Sequence, residues 1–198
     1  MYTLLKPLSV REELLKRGVK VFTPLEFKRI FHTLPFRTKY FLEEQVKLGL
    51  FVRLKRGLYA LKTDVSPEEE IANRLYKPSY ISFEYALAFY NILPEMVYRV
   101  TSATTKPTRN FAVGNKVFSY YTIKEKAYAG YYLVKKVENS FLIAEPEKAL
   151  VDYLYFTSIG KKPYNDRLRV SSLNKEKVFK FSVLYERKKL IEIIKELL

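Results

Sequence analysis

The chain has 198 residues, of which 48% are hydrophobic and 29% charged, a composition that predicts a folded protein with a buried core. Lysine and arginine outnumber aspartate and glutamate by 36 to 21, so a polyanion is the first partner to consider, nucleic acid before an anionic membrane. Cysteine is absent and His32 is the single histidine, which excludes disulfides, cysteine-ligated zinc and sites built from several histidines. Without a long apolar run or a signal peptide, we expect a cytoplasmic protein with no membrane partner.

The positive charge is unevenly distributed along the chain. Residues 1–62 contain 14 lysines and arginines against 5 acids, a net charge of +9, whereas residues 63–198 contain 22 against 16, a net charge of +6. The two parts also differ in pattern, and the polar stretch 63–65 lies between them. We therefore predict two domains, residues 1–62 and residues 63–198.

The first domain is predicted to begin with short helices. Apolar residues at helical spacing indicate a helix over residues 4–16, and Gly18 just after it is the signal that terminates it. Residues 23–26 (Thr-Pro-Leu-Glu) form a capping box with proline at the first helical position, and they start a second helix that continues to His32.

A third helix and a hairpin complete the first domain. The helix is predicted over residues 36–48, with Gly49 as a left-handed cap. Two β-rich runs, residues 50–54 and 58–61, flank a basic turn that contains glycine. Three helices followed by a basic hairpin is the order of a winged helix-turn-helix, whose third helix enters the major groove of DNA.

The predicted DNA contacts lie on the third helix and on the hairpin. Leu42, Val46 and either Phe41 or Gln45 are expected to face inward. The residues expected to face DNA are Arg37, Thr38, Lys39, Tyr40 and Lys47 on the helix and Arg53, Lys55 and Arg56 in the hairpin. Arginine or lysine can bind guanine and threonine can contact a thymine methyl group, whereas the hairpin cations would bind phosphates. The alternative is a small helical domain whose basic residues interact only with solvent.

Residues 63–198 predict an α+β domain with a mainly antiparallel sheet. The predicted helices are residues 66–75, residues 82–90 with Ser82 as the cap, residues 146–156, and two stretches after Leu173 and Glu186. A break is predicted at residues 78–82, and the predicted strands are residues 96–101, 110–113, 116–123, 131–137 and 141–144, with tight turns at 114–115 and 138–140. Tyrosines and lysines alternate between residues 120 and 136. They could stack the bases of a single strand, but we favour half-buried strands.

Carboxylates that could hold a nuclease metal ion are sparse. Glu145, Glu147 and Asp152 are close in sequence, with Lys148 among them, but on one helix they would point in different directions. A glycine-rich phosphate loop is also missing from the sequence. We expect no enzyme, no cofactor and no metal, and we expect His32 to be a helix cap or a surface residue. A metal-dependent nuclease targeted by the first domain is the alternative.

Several segments resemble the AbiEi-type antitoxins of abortive-infection (type IV) toxin–antitoxin systems. The resemblance extends from residue 20 to about residue 156 and is carried in order by residues 54–61 (LKRGLYAL), 71–75 (IANRL), 78–87 (PSYISFEYAL), 100–105 (VTSATT) and 143–152 (IAEPEKALVD). The segments Pro-Ser-Tyr-Ile-Ser and Glu-Pro-Glu-Lys-Ala-Leu are the most specific of these.

The resemblance implies a bifunctional protein. Its winged-helix domain would repress its own operon by binding inverted repeats. Such repeats have two-fold symmetry, which a dimer on DNA would match. The DNA contacts would be Arg37, Lys39, Arg53, Lys55 and Arg56. Its second domain would counteract a cognate nucleotidyltransferase toxin, directly or indirectly. A non-catalytic adaptor whose second domain only binds protein is the further alternative.

Overall fold

The computed structural model describes residues 5–64, 66–135 and 140–198, and these form a mixed α+β protein. They divide into two compact units, one that ends at Leu75 and one that starts at Tyr76. The predicted boundary lies earlier, at residues 63–65, of which Val65 is outside the described residues. The difference arises because the helix after this stretch packs with the first unit.

Within its described residues, the first unit consists of four helices and a three-stranded antiparallel sheet. Its elements are α1 (Pro7–Lys16), β1 (Val21–Phe22), α2 (Pro24–Phe31), α3 (Pro35–Lys47), β2 (Phe51–Lys55), β3 (Leu58–Leu61) and α4 (Glu68–Leu75). The central strand is β3, which pairs with both β1 and β2. The predicted helices and hairpin are present, although the first helix begins at Pro7 and Leu4 is outside the described residues. β1 is missing from the prediction because two residues are too few to show an alternating pattern.

The predicted capping box starts α2. The Thr23 hydroxyl accepts a hydrogen bond from the backbone N–H of Glu26, and the Glu26 carboxylate accepts one from the N–H of Thr23 at 2.7 Å. Arg74 of α4 extends this contact, since its guanidinium donates to Glu26 and, at 3.1 Å, to the carbonyl oxygen of Val21. The same arginine therefore holds α4 against β1 and α2.

Aromatic side chains form the core of the first unit. Phe22, Phe27, Phe41 and Phe51 come from β1, α2, α3 and β2, and each is at most 8% exposed. The ring centroids of Phe22 and Phe51 are 5.2 Å apart with the rings edge to face, and those of Phe27 and Phe41 are 5.7 Å apart. This packing decides which face of α3 points inward.

Within its described residues, the second unit combines a six-stranded sheet with four α-helices. Its elements are β4 (Tyr80–Ile81), α5 (Phe83–Phe89), β5 (Val100–Thr104), β6 (Arg109–Val113), β7 (Lys116–Thr122), β8 (Tyr131–Lys135), β9 (Ser140–Ala144), α6 (Pro146–Ser158), α7 (Lys175–Val183) and α8 (Lys188–Leu197). The strand order is β6-β7-β5-β4-β9-β8.

This sheet is mixed: most of its neighbouring pairs are antiparallel, as predicted, but it also contains two parallel pairs that the prediction does not include. β5 and β7 are parallel, with Val100 opposite Phe118, and β4 and β9 are parallel, with Ile81 opposite Ile143. The other three neighbouring pairs are antiparallel. Hairpins can be recognised locally, whereas each parallel pair joins strands that other elements separate in the chain.

Two strands differ from the prediction in position. β4 occupies part of the stretch predicted only as a helix break, and β5 begins at Val100 rather than at Met96. The predicted turn between β6 and β7 is present. Residues 136–139, which contain the end of one predicted strand and most of the other predicted turn, lie outside the described residues. None of the helices that the structure describes is both long enough and apolar enough to cross a membrane.

Candidate nucleic-acid interface

The outer face of α3 combines aromatic and basic side chains. Phe36 is 65% exposed and Tyr40 is 71% exposed. Arg37 and Lys39 are also exposed, and the Arg37 guanidinium carbon lies 5.8 Å from the centre of the Phe36 ring. The buried residues of the helix are Thr38, Phe41, Leu42 and Gln45. Both of the predicted alternatives, Phe41 and Gln45, therefore face inward.

Thr38 does not lie on the outer face, which corrects the prediction. It is only 2% exposed, and its hydroxyl donates to the Leu34 carbonyl oxygen at 3.1 Å and lies 2.6 Å from the hydroxyl of Thr33. The physical reason is its position three and four residues before Phe41 and Leu42, on the same side of the helix. An enclosed threonine cannot contact a base.

The C-terminal half of α3 presents both charges. Lys47 is exposed as predicted, but Glu43 and Glu44 are exposed as well. A carboxylate can accept a hydrogen bond from the amino group of cytosine, so these acids are compatible with a surface that contacts bases.

The β2–β3 hairpin exposes two of its three basic residues. Arg53 and Arg56 are exposed, and Arg56 lies in the turn, beyond the pair that Lys55 forms with Leu58. Lys55 is only partly exposed because its ammonium donates to the carbonyl oxygen of Leu75 at the end of α4. Lys55 therefore has a structural contact that the sequence analysis does not foresee.

Further basic residues, which the sequence analysis does not select, lie on α2. Lys28, Arg29 and His32 line a shallow surface depression together with Leu25 and Thr33. His32 is exposed and caps α2 in a left-handed conformation with φ of 50°, which confirms its prediction as a cap or surface residue. The spacing of three or four residues within this set is the sequence signal that identifies one helix face.

The second unit encloses a polar cluster around Asp152. Lys148 and Asp152 lie one turn apart on α6, are fully buried, and form an ion pair. The hydroxyls of Tyr80 and Ser82 donate to Oδ2 of Asp152 at 3.0 and 2.7 Å. The Tyr185 hydroxyl donates to Oδ1 at 2.5 Å. Ser82 does occupy the predicted N-cap position of α5, but its hydroxyl binds Asp152 instead of capping the helix.

Burial shifts the titration of this cluster. It lowers the pKa of the Lys148 ammonium, although the facing Asp152 carboxylate favours the charged form. Burial, together with the charge of Asp152, raises the pKa values of the Tyr80 and Tyr185 hydroxyls well above the ordinary value. Both tyrosines therefore keep the protons that they donate to the carboxylate.

The carboxylates considered for a nuclease site have separate partners. The Glu145 carboxylate lies 2.8 Å from the ammonium of Lys177, and Glu147 accepts a hydrogen bond from the backbone N–H of Asn174 at 3.1 Å. Asp152 is enclosed by the cluster described above. Among residues 5–64, 66–135 and 140–198, no three His, Asp or Glu side chains are grouped so that they could hold a metal ion.

Comparison with known proteins does not assign the chain to a family. No protein-family model matches it, and no curated protein matches it either.

Proposed function

We propose that this protein is a sequence-specific DNA-binding repressor of its own operon, with the first unit acting as a winged helix-turn-helix domain. The observation that carries the proposal is the outer face of α3. Arg37, Lys39 and Tyr40 are exposed there, while the opposite face of the helix packs into the aromatic core. The element order α1-β1-α2-α3-β2-β3, with β1 added to the hairpin sheet, supports it.

In this proposal each element has its own part in binding. Residues in the first turns of α3 reach the base edges of the major groove, where Arg37 and Lys39 bind guanine. Arg53 and Arg56 bind phosphates beside the groove, which adds affinity that depends on salt but carries little sequence information. Lys28 and Arg29, which line the depression on α2, add further phosphate contacts.

We infer in addition that the second unit neutralises a nucleotidyltransferase toxin, directly or indirectly. The support is the resemblance to AbiEi-type antitoxins, whose two most specific segments lie within residues 78–87 and 143–152. In this chain those segments pair as strands β4 and β9, and they supply Tyr80, Ser82, Lys148 and Asp152 to one buried cluster. Because both segments contribute side chains to one buried cluster, each limits the substitutions that the other tolerates. This is expected of segments that define a common fold.

The repressor function is tested by measuring the affinity for the intergenic DNA upstream of the gene against random duplex of equal length. We expect a preference for the intergenic DNA at moderate salt. Arg37→Ala and Lys39→Ala should reduce this preference, whereas Arg56→Ala should weaken binding to both duplexes and reduce the salt dependence. Lys189→Ala, at an exposed lysine of the second unit, is the matched control and should change neither quantity. Equal affinity of the unmodified protein for the two duplexes would contradict the proposal.

The antitoxin function is tested with the neighbouring gene. We expect that gene to encode a nucleotidyltransferase-like protein that arrests growth when expressed alone, and co-expression of this chain should restore growth. Growth arrest that persists despite soluble co-expression would contradict the antitoxin role and leave the repressor role standing.

A further inference from the structure

Two aromatic rings stand out on the DNA-facing surface proposed above, on which this inference rests. Phe36 and Tyr40 are 65% and 71% exposed, although the other aromatic residue of the helix, Phe41, is buried in the core. Residues four apart on a helix lie on the same side, so the two rings are neighbours on the outer face. Packing within the first unit does not account for their position.

The charges around the rings indicate what they meet. Arg37 is exposed next to Phe36 and Lys39 next to Tyr40, whereas the exposed acids Glu43 and Glu44 follow Tyr40 by three and four residues. The cations are therefore concentrated at the end of the helix that carries Phe36. Protein-binding surfaces are depleted of lysine at their centre, whereas the major groove offers phosphates at its rims and apolar thymine methyl groups on its floor. Phe36, with Arg37 and Lys39 close to it in the first turns of α3, therefore matches duplex DNA better than an apolar protein surface.

Because Thr38 is buried, an apolar contact between α3 and a base has to come from the exposed aromatic rings. Its methyl group is the sequence-based candidate for contacting thymine, but the side chain is enclosed and its hydroxyl is bonded to Leu34. Phe36 is the exposed aromatic side chain in the first turn of α3, the part of such a helix that approaches base edges. Its ring can lie against the 5-methyl group of a thymine while Arg37 beside it binds a neighbouring base or phosphate.

We propose that Phe36 is a specificity-determining residue that recognises thymine in the major groove through its 5-methyl group. Thymine differs from uracil only by this methyl group, so deoxyuridine removes the contact and leaves base pairing intact. The loss of one methyl contact corresponds to about a fourfold weaker affinity.

The experiment uses the full chain and a duplex selected by it from a random pool. Each thymine of that duplex is replaced in turn by deoxyuridine, and the affinity is measured by fluorescence anisotropy at one fixed salt concentration. For the unmodified protein we expect about a fourfold loss at one or two positions and none elsewhere. Phe36→Ala should bind the thymine and deoxyuridine duplexes equally. Leu48→Ala removes an equally exposed apolar side chain just after α3, and it should keep the discrimination.

The outcomes separate this inference from the function beneath it. If the unmodified protein binds the selected duplex specifically but does not distinguish thymine from deoxyuridine, the role of Phe36 is overturned and the repressor function stands. If no sequence is selected, both fail. If Phe36→Ala retains the discrimination but converts a dimer into a monomer, as measured by sedimentation, the ring is a contact between two copies and the thymine proposal is overturned.

Discussion

Asp152 is the residue on which the interior of the second unit depends most. Its two carboxylate oxygens accept hydrogen bonds from the side chains of Tyr80, Ser82, Lys148 and Tyr185, none of which lies at the surface. Removal of the carboxylate leaves the three buried hydroxyls without this acceptor and the Lys148 ammonium with only the Tyr185 hydroxyl, at 3.3 Å. Removal of the ammonium leaves the carboxylate with three hydroxyl donors.

This difference predicts a ranking of stabilities. Asp152→Ala should lower the free energy of unfolding by about 3–5 kcal/mol, and Lys148→Met by less, because the hydroxyls still stabilise the remaining charge. The double variant should be more stable than the sum of the two losses predicts, since the partners interact directly. Urea unfolding measures all three values. Lys177→Met, which removes an exposed partner of Glu145, is the control and should have a smaller effect. A larger loss for Lys148→Met than for Asp152→Ala would contradict the ranking.

Gly130 and Gly160 form a matched pair, because both have φ of +72°. A Cβ atom at Gly130 would lie 2.5 Å from Cε1 of Phe181 on α7, whereas one at Gly160 would meet nothing within 4 Å. We expect Gly160→Ala to cost about 1–2 kcal/mol of unfolding free energy through backbone strain alone. Gly130→Ala should cost a further 1–3 kcal/mol, roughly, through overpacking. If denaturant unfolding showed equal losses of unfolding free energy for the two variants, the Phe181 ring would move aside without a free-energy cost, and this prediction would be wrong.

Among the elements, α2 is coupled to α4 through one carboxylate. Burial tends to raise the pKa of Glu26, but hydrogen bonds from Arg74 and Thr23 outweigh it and hold the pKa below its ordinary value of 4.5. The folded state therefore favours the ionised carboxylate. As the pH falls through the ordinary and then the lowered pKa, the unfolded state binds a proton first, and the contribution of Glu26 to stability is lost.

Stability should accordingly decrease as the pH falls through the ordinary value of 4.5 and the lowered pKa of the folded state, and this group should not affect it at higher pH. Glu26→Gln preserves the capping geometry but has no charge to lose, so it should be less stable at pH 7 and show a shallower decrease on acidification. Arg74→Met should also flatten the dependence, because it removes the cation that lowers the pKa. Thermal unfolding as a function of pH measures both slopes. A slope for Glu26→Gln equal to that of the unmodified protein would contradict this assignment.

The elements also differ in how well the sequence predicts them. The capping box at Thr23, the end of α2 at His32 and the turns of the β2–β3 and β6–β7 hairpins depend on residues a few positions apart, and all are predicted correctly. β1 and β4 are two-residue strands that exist only because a neighbouring strand supplies their hydrogen bonds. No local pattern could have revealed them.

At the scale of the whole molecule, the observed boundary changes how the net charge is divided between the two units. The stretch 63–75 adds four acids and one arginine to the first unit, so residues 1–75 have a net charge of +6 and residues 76–198 a net charge of +9. Net charge therefore does not single out the first unit as the proposed DNA-binding unit. What favours the first unit is the placement of exposed cations on α3 and on the hairpin, beside exposed aromatic rings.

The candidate interface is likewise predictable only in part. The exposure of Arg37, Lys39, Tyr40, Lys47, Arg53 and Arg56 follows from their types and spacing, because charged and polar side chains are solvated wherever helix or strand geometry allows it. The enclosure of Thr38 and the bond from Lys55 to Leu75 could not be foreseen. Each depends on which residues from other elements lie opposite.

Local chemistry was thus sufficient for the helices, the capping box of α2, the described hairpin turns and the exposed cations of α3, because these depend on contacts within a few residues. The strand order, the parallel pairs β5–β7 and β4–β9, the attachment of α4 to the first unit and the closed cluster around Asp152 were decided by the folded chain. These features join residues tens of positions apart. Their free energy comes from burial and hydrogen bonding that exist only once both partners are in place.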